Sequence, residues 1–295
     1  MSLHIFGAII TGIGCAANNR GETEGNITTL QKLLWKGNVH TTVSAEAIRW
    51  ALRYLWQTNG LSVNRKWDDE EEEHKWQDEN WSGWAQENGE TFIDDDLLGY
   101  MKAEGGKTEG EKGSTTKRRG VLEVCRAIST TPYAGDISFN AKSGEKDRTS
   151  LYGAEMHATR YQYGFAMTPE RLRDKTRCLD ALNGLGALGE VAGNHGRFLF
   201  DFSPESIILR VTNDPAPRFL YVFQEENGEV SVPELVRKVE AKDLLPEELF
   251  IGGLISEQPE VKAIGAKVCL AGVKTTVEEC KKSIKEKLNL EETDE

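Results

Sequence analysis

Residues 3–12 read LHIFGAIITG. Apolar side chains fill both sets of alternating positions, so the segment is expected to be a strand buried on both faces in mid-sheet. A Gly/Asn-rich loop follows over 14–26, and then a helix is predicted over 44–57. Ser44 serves as N-cap, Glu46 lies in the first turn where the helix dipole favours an anion, and Ile48, Leu52, Leu55 and Trp56 make the apolar stripe. Arg49 and Arg53, one turn apart, line a different face.

Further outward, residues 61–120 read as an insertion. Its first half is acidic and carries Trp67, Trp76, Trp81 and Trp84; its second half is rich in Gly, Lys, Glu and Thr and ends in Lys117, Arg118 and Arg119. Such composition favours mobility over 105–116. Strand patterns resume at 121–131 and 156–167, where Tyr161, Tyr163 and Phe165 share one face at period two. Thr168, Pro169 and Glu170 supply the start of a helix expected to run to 182. Residues 197–202 and 207–212 read as a strand pair. Strand or helix patterns recur at 218–223, 232–241 and 266–273, and the box Thr276-x-x-Glu279 is expected to cap a last helix. The order of elements predicts an α+β fold: an antiparallel sheet with helices on one face, as in ferredoxin-like or RRM-like domains.

A chain of 295 residues suffices for one large domain or two ordinary ones. Five Cys (15, 125, 178, 269, 280) are an odd number without a C-x-x-C pair. A disulfide framework or structural zinc site is therefore disfavoured, and a reducing, cytoplasmic setting is expected. The uncharged stretch 5–19 is interrupted by Gly and Asn and is shorter than the ~20 apolar residues of a membrane span, so neither export nor insertion is expected. Of the net charge of -12, all resides between Trp67 and Asp96, where thirteen acidic residues face Lys75 alone. The rest of the chain is neutral, and a neutral body can carry a basic groove, because phosphate binding depends on where Lys and Arg cluster.

Several motifs compete with plainer readings. Residues 184–189 match G-x-G-x-x-G, but they close a predicted helix instead of joining a strand to one, so a glycine-rich helix exit is favoured over a nucleotide-binding enzyme. The five His share no metal-ligand spacing and no nucleophile elbow or P-loop occurs, so no metal, cofactor or catalytic constellation is expected. Asp94, Asp95 and Asp96 in a row point in different directions from a loop, which favours solvation or a helix entry over Mg²⁺ binding. The segment 18–53 is the most informative. It gathers Arg20, Lys32, Lys36, Arg49 and Arg53 around loop Asn and Thr groups and the open N–H groups of the Ser44 helix start, all good phosphate ligands. A solvated helix face is the plain alternative. The stripe Tyr161, Tyr163, Phe165 fits base stacking, although aromatics at strand period more often form core.

These blocks resemble a known family. GCAANNRG, TTLQK and TTVSAEAIRWALR, then DDDLLGYM with KRRGVLEVCRAISTTPYAGDISFNAK, then HATRYQYGFAMTPERL and GNHGRFLFDFSPESIILRV, are similar in order to the RNA-coating backbone subunit of type I CRISPR Cascade complexes, in particular its DevR-type, subtype I-B branch. The resemblance implies a modified RRM-like core over 1–60 and 150–295, the helical insertion over 61–120, and a thumb hairpin over 121–150. It implies a non-catalytic subunit that polymerises along a CRISPR RNA and presents it for pairing with target DNA. Its partners would be further copies of itself, the 5′-handle-binding subunit, the large subunit, the crRNA-processing endonuclease and, where guided transposition is coupled, transposition proteins. Carried over by position, Asn18, Asn19, Arg20, Gln31, Lys32, Thr42, Ser44, Arg49 and Arg53 would contact the guide, with Met101 as a wedge and Arg118, Arg119 and Arg197 as further contacts. Related type III subunits cut RNA with a loop aspartate; here the nearest loop offers Glu22 and Glu24, and no Asp precedes Asp68, so cleavage is not expected. The family's autoregulator name keeps transcriptional regulation as an alternative.

Overall fold

The computed structural model describes residues 1–17, 23–104, 114–141, 151–193 and 198–290. The chain opens with β1 (His4–Thr11) and the short strands β2 (Gly14–Ala17), β3 (Thr23–Glu24) and β4 (Ile27–Thr28). The hairpin of β5 (Lys32–Trp35) and β6 (Asn38–Val43) turns on Lys36 and Gly37, both at positive φ, as a two-residue turn matched to strand twist requires. Ser44 then caps α1 (Ala45–Thr58), as expected. The insertion holds two hairpins, β7 (Arg65–Asp68) with β8 (Glu73–Trp76) and β9 (Gly99–Glu104) with β10 (Ser114–Arg119), on either side of α2 (Ile93–Leu98).

Beyond the insertion come β11 (Glu123–Val124), β12 (Ala127–Ser129), β13 (Ile137–Ala141), β14 (Leu151–Thr159), β15 (Tyr161–Met167) and α3 (Arg177–Ala187). The C-terminal part adds β16 (Pro204–Thr212), β17 (Gln224–Glu226), β18 (Glu229–Ser231), α4 (Pro233–Glu240), β19 (Leu249–Gly253), α5 (Pro259–Ala263), β20 (Val268–Ala271) and α6 (Val273–Leu288). The large sheet runs β20-β19-β16-β1-β15-β12-β6-β5, with β11 also on β15. β1 is thus central, antiparallel to both neighbours.

Both faces of this sheet are covered. On one, Ile5 and Ile9 pack with Ile48, Leu52 and Trp56 of α1, Leu182 of α3 and Ile284 of α6. On the other, Phe6, Ala8 and Ile10 pack with Phe219, Phe223, Leu235 and Ile255 from the C-terminal part. Helices on one face only is therefore a correction: β1 is apolar on both sides, and the C-terminal part supplies the second cover.

Other expectations shift locally. Thr168-Pro169-Glu170 starts only a single 3₁₀ turn, and α3 begins at Arg177, because the intervening amides of Arg173 and Asp174 are taken by Asp96. The described residues 198–202 form no strand; Phe200 and Phe202 instead pack on Tyr161. Residues 218–223 are no strand either, with Arg218 and Tyr221 at positive φ. α6 is capped by Gly272, and Thr276 lies a turn inside, its hydroxyl donating to the Gly272 carbonyl at 3.0 Å. β11 and β12 belong to the large sheet, so the hairpin expected over 121–150 is formed by β13 with β14, joined through residues outside the described set. No helix among the described residues is long and apolar enough to cross a membrane.

Candidate nucleic-acid interface

The sheet edge at β5 and β6 brings together residues far apart in sequence. Ile128 of β12 pairs with Thr42 of β6, which sets Arg126 beside the start of β5. The Arg126 guanidinium donates through Nη1 to Oε1 of Gln31 at 3.1 Å and to Oγ1 of Thr42 at 3.3 Å. Its carbonyl is held by the Tyr221 hydroxyl at 2.8 Å, and the Thr42 amide donates to the Gln31 carbonyl at 2.9 Å. Arg126 is exposed, and a guanidinium carries five donors in a rigid fork, so two neutral acceptors on one nitrogen orient it without neutralising it.

Lys32 reaches Glu155 at 2.6 Å and lies over the Tyr133 ring at 5.2 Å. Glu155 also accepts from the Leu30 amide at 2.7 Å, tying the approach of β5 to β14. Burial, and after it Glu155, pushes the Tyr133 phenol up to about 12, so it stays a neutral donor. Beneath lies a buried polar floor: His40 Nδ1 donates to the Ser129 carbonyl at 2.7 Å, and the Thr41 hydroxyl is 2.7 Å from His157 Nδ1 and 2.8 Å from the Tyr161 hydroxyl. Burial pushes His157 down, which keeps it neutral at pH 7. Such a satisfied network holds an edge rigid.

The Ser44 hydroxyl accepts from the Ala47 amide at 3.1 Å. Arg49, pushed down by burial and then by Arg53, donates to the Leu98 carbonyl at the end of α2. Arg53 pairs with Asp94 at 3.0 Å and Arg118 with Asp96 at 2.6 Å, both aspartates being buried. These two arginines are drawn inward as struts of the insertion instead of standing free at the groove. Arg119, exposed, bonds Glu123. Met101 is 71% exposed on β9. Asn18, Asn19, Arg20 and Arg197 lie outside the described residues. The structure thus joins Gln31 and Thr42, places Lys32 and Ser44 on the adjoining strand and helix start, and sends Arg49, Arg53 and Arg118 to the insertion.

Arg126 is the residue that sequence reasoning missed. It follows the basic run Lys117–Arg119 within one block, but only the pairing of β12 with β6 shows that it meets Gln31. Two other readings are decided by the structure. Asp94, Asp95 and Asp96 do enter a helix, yet none is solvated: they are 1%, 2% and 0% exposed. Asp94 accepts from the Asn64 amide at 2.7 Å and Asp95 from Trp81 Nε1 at 3.1 Å. Tyr161, Tyr163 and Phe165 are core, and the opposite face of their sheet is covered too, so bases cannot stack there.

Gly184 and Gly186 sit inside α3, not past it. A Cβ on Gly184 would come within 3.0 Å of Leu52 Cδ2 and Trp56 Nε1, and one on Gly186 within 3.1 Å of Val277 Cγ2. The glycines let α3 approach α1 and α6, which removes the nucleotide-binding reading.

A chain of a CRISPR RNA-guided surveillance complex in its pre-nicking state superposes with a TM-score of 0.62 at 12% identity, covering 95% of this chain and 99% of that one. A chain of a second CRISPR RNA-guided surveillance complex gives 0.58 at 13% identity, with the same coverage. At such identities the likeness is one of fold. In sequence, a CRISPR-associated protein Cas7/Cst2/DevR of Myxococcus xanthus (strain DK1622) is 54% identical over 268 residues, 87% of this chain and 88% of the relative. Residues 12–177 match the model of the CRISPR-associated negative auto-regulator DevR/Csa2. More than half of the chain fits that model and a relative is this similar over nearly its whole length, so the chain belongs to the DevR/Csa2 family of CRISPR-associated proteins.

Proposed function

We propose that this chain is a non-catalytic, cytoplasmic backbone subunit that binds CRISPR RNA in a subtype I-B Cascade complex, several copies along one guide, and presents the guide to target DNA. The observation that carries the reading is the exposed Arg126 guanidinium, oriented by Gln31 and Thr42 at the sheet edge. A backbone subunit has to hold phosphates and leave sequence to base pairing, and an oriented guanidinium fork among neutral amide and hydroxyl groups suits that task. Asn18, Asn19 and Arg20 would complete the groove from the opening loop, with Lys32, Ser44 and Arg197 at its margins.

The core is read as a modified RRM-like fold. In its support, β1, α1, β12, β15, α3 and β16 follow one another in sequence, while the strands stand in the sheet as β16-β1-β15-β12, the split β-α-β arrangement of ferredoxin-like domains. The hairpin of β13 and β14 would serve as thumb, with Met101 as wedge. The 5′-handle-binding subunit, the large subunit and the processing endonuclease are the partners proposed, with transposition proteins where guided transposition replaces interference.

The test is the nucleic acid that co-purifies with the protein. RNA of uniform length with a constant 5′ end supports guide binding. Preference for one duplex DNA over guide-containing RNA would instead favour autoregulation, the activity in the description of the matching family model.

A further inference from the structure

The insertion bears a second, open cleft of about 490 Å³, lined by Trp84, Tyr100, Lys117, Arg118, Arg119 and Arg171. Its frame is rigid. Arg118 is pinned to Asp96 at 2.6 Å, lies over the Trp84 ring at 4.2 Å and donates to the Arg171 carbonyl at 3.1 Å, which locks β10 against the 3₁₀ turn. Tyr100 is stacked on Trp81 with centroids 4.3 Å apart. The other cations are not spent in this way. Lys117 and Arg171 are exposed and have no ion-pair partner among the described residues; Arg119 shares one nitrogen with Glu123 and its side chain is 79% exposed.

The cleft therefore brings Lys117 and Arg119 of the insertion together with Arg171 of the core between aromatic walls. Like charges left together unpaired repel, and an anion relieves that repulsion. An open trough suits a polymer that runs across it better than a small molecule enclosed by it. Chain length also keeps the cleft close to the sheet edge: Arg119 and Arg126 are seven positions apart, at most about 25 Å when extended.

We infer that this cleft is a second nucleic-acid contact, in which Lys117, Arg119 and Arg171 hold a phosphodiester stretch of single-stranded RNA beyond the portion held by Gln31, Thr42 and Arg126. The inference rests on the RNA-binding reading, so the experiment separates the two. Affinity for a labelled single-stranded RNA is measured across a KCl series for the wild type, Lys117→Ala with Arg171→Ala, and Gln31→Ala with Arg126→Ala. Both side chains of the first pair are exposed and unpaired, so an unchanged thermal midpoint is the folding control.

The cleft pair is expected to flatten the salt slope by about 1.4, two phosphates at about 0.7 each, and the edge pair by about 0.7. An unchanged slope for the cleft pair beside a flattened one for the edge pair overturns the second contact and leaves the proposed function standing. A flattened slope for the cleft pair alone upholds the cleft and sinks the edge assignment. A wild type that binds no RNA sinks both. Calorimetric heat with AMP, lost in the cleft pair while the RNA slope is unchanged, would make the cleft a free-nucleotide site and overturn the inference.

Discussion

The carboxylate of Asp96, on the short helix of the insertion, lies 2.8 Å from the guanidinium of Arg177 on α3, 81 positions further along the chain. The same carboxylate receives Arg118 from β10 at 2.6 Å and the backbone amides of Arg173 and Asp174 at 3.0 and 3.1 Å. One buried anion thus ties the insertion helix, its hairpin and the core helix together. Asp94 repeats the device toward α1 through Arg53.

Removing that anion leaves two guanidinium groups and two amides without their acceptor. Asp96→Ala is expected to cost about 3 to 5 kcal/mol, the range for breaking a buried ion pair from one side. Urea denaturation followed by tryptophan fluorescence measures it; a loss near zero would mean that the insertion is not anchored through Asp96.

Asp95 behaves differently. Burial, and after it the charge of Asp94, pushes its carboxyl up to about 6. The folded state then holds a proton that the unfolded chain releases near its ordinary value of 3.8, so this group's contribution is full below about pH 4 and is lost as pH rises to about 6. Asp95→Asn should remove that slope, and the stability difference between wild type and variant should change between pH 4 and 6 and stay constant above. Thermal midpoints taken across the range check it.

Gly184→Val places methyl groups where Leu52 and Trp56 already stand, and overpacking of this kind costs about 1 to 3 kcal/mol. NAD and ATP should give no calorimetric heat with the wild type. Stable Gly184→Val together with nucleotide heat would reinstate the nucleotide reading.

At the sheet edge, Arg126→Ala alone should weaken RNA binding evenly across sequences and flatten the salt slope by about 0.7. Sequence-dependent losses would point to base contacts in place of backbone ones.

Met101 and Phe139 are 71% and 75% exposed, on different hairpins. Alanine at either should leave stability within about 0.5 kcal/mol, as at other exposed sites without special features. If Met101 is the wedge, Met101→Ala should abolish the fluorescence rise of 2-aminopurine placed at kinked guide positions, and Phe139→Ala should preserve it. The reverse pattern would assign the wedge to the β13–β14 hairpin.

Local chemistry alone determined much of this protein. The apolar run of β1 marks a central strand because no solvent-facing residue interrupts it. Ser44 marks the start of α1 because its hydroxyl can serve an open amide, and the ordered blocks from Gly14 to Val211 carry the family. Tertiary structure decided what depends on partners distant in sequence. Asp94 and Asp96 read as solvated or as a helix entry until Arg53, Arg118 and Arg177 arrive from other elements to hold them. Gly184 reads as a helix exit until α1 is seen packed on it. Arg126 gains its place only through the register of β12 on β6. A carboxylate's or guanidinium's role is set by what neutralises it, and in this fold those neighbours are brought together by sheet pairing and helix packing over separations that no sequence window spans.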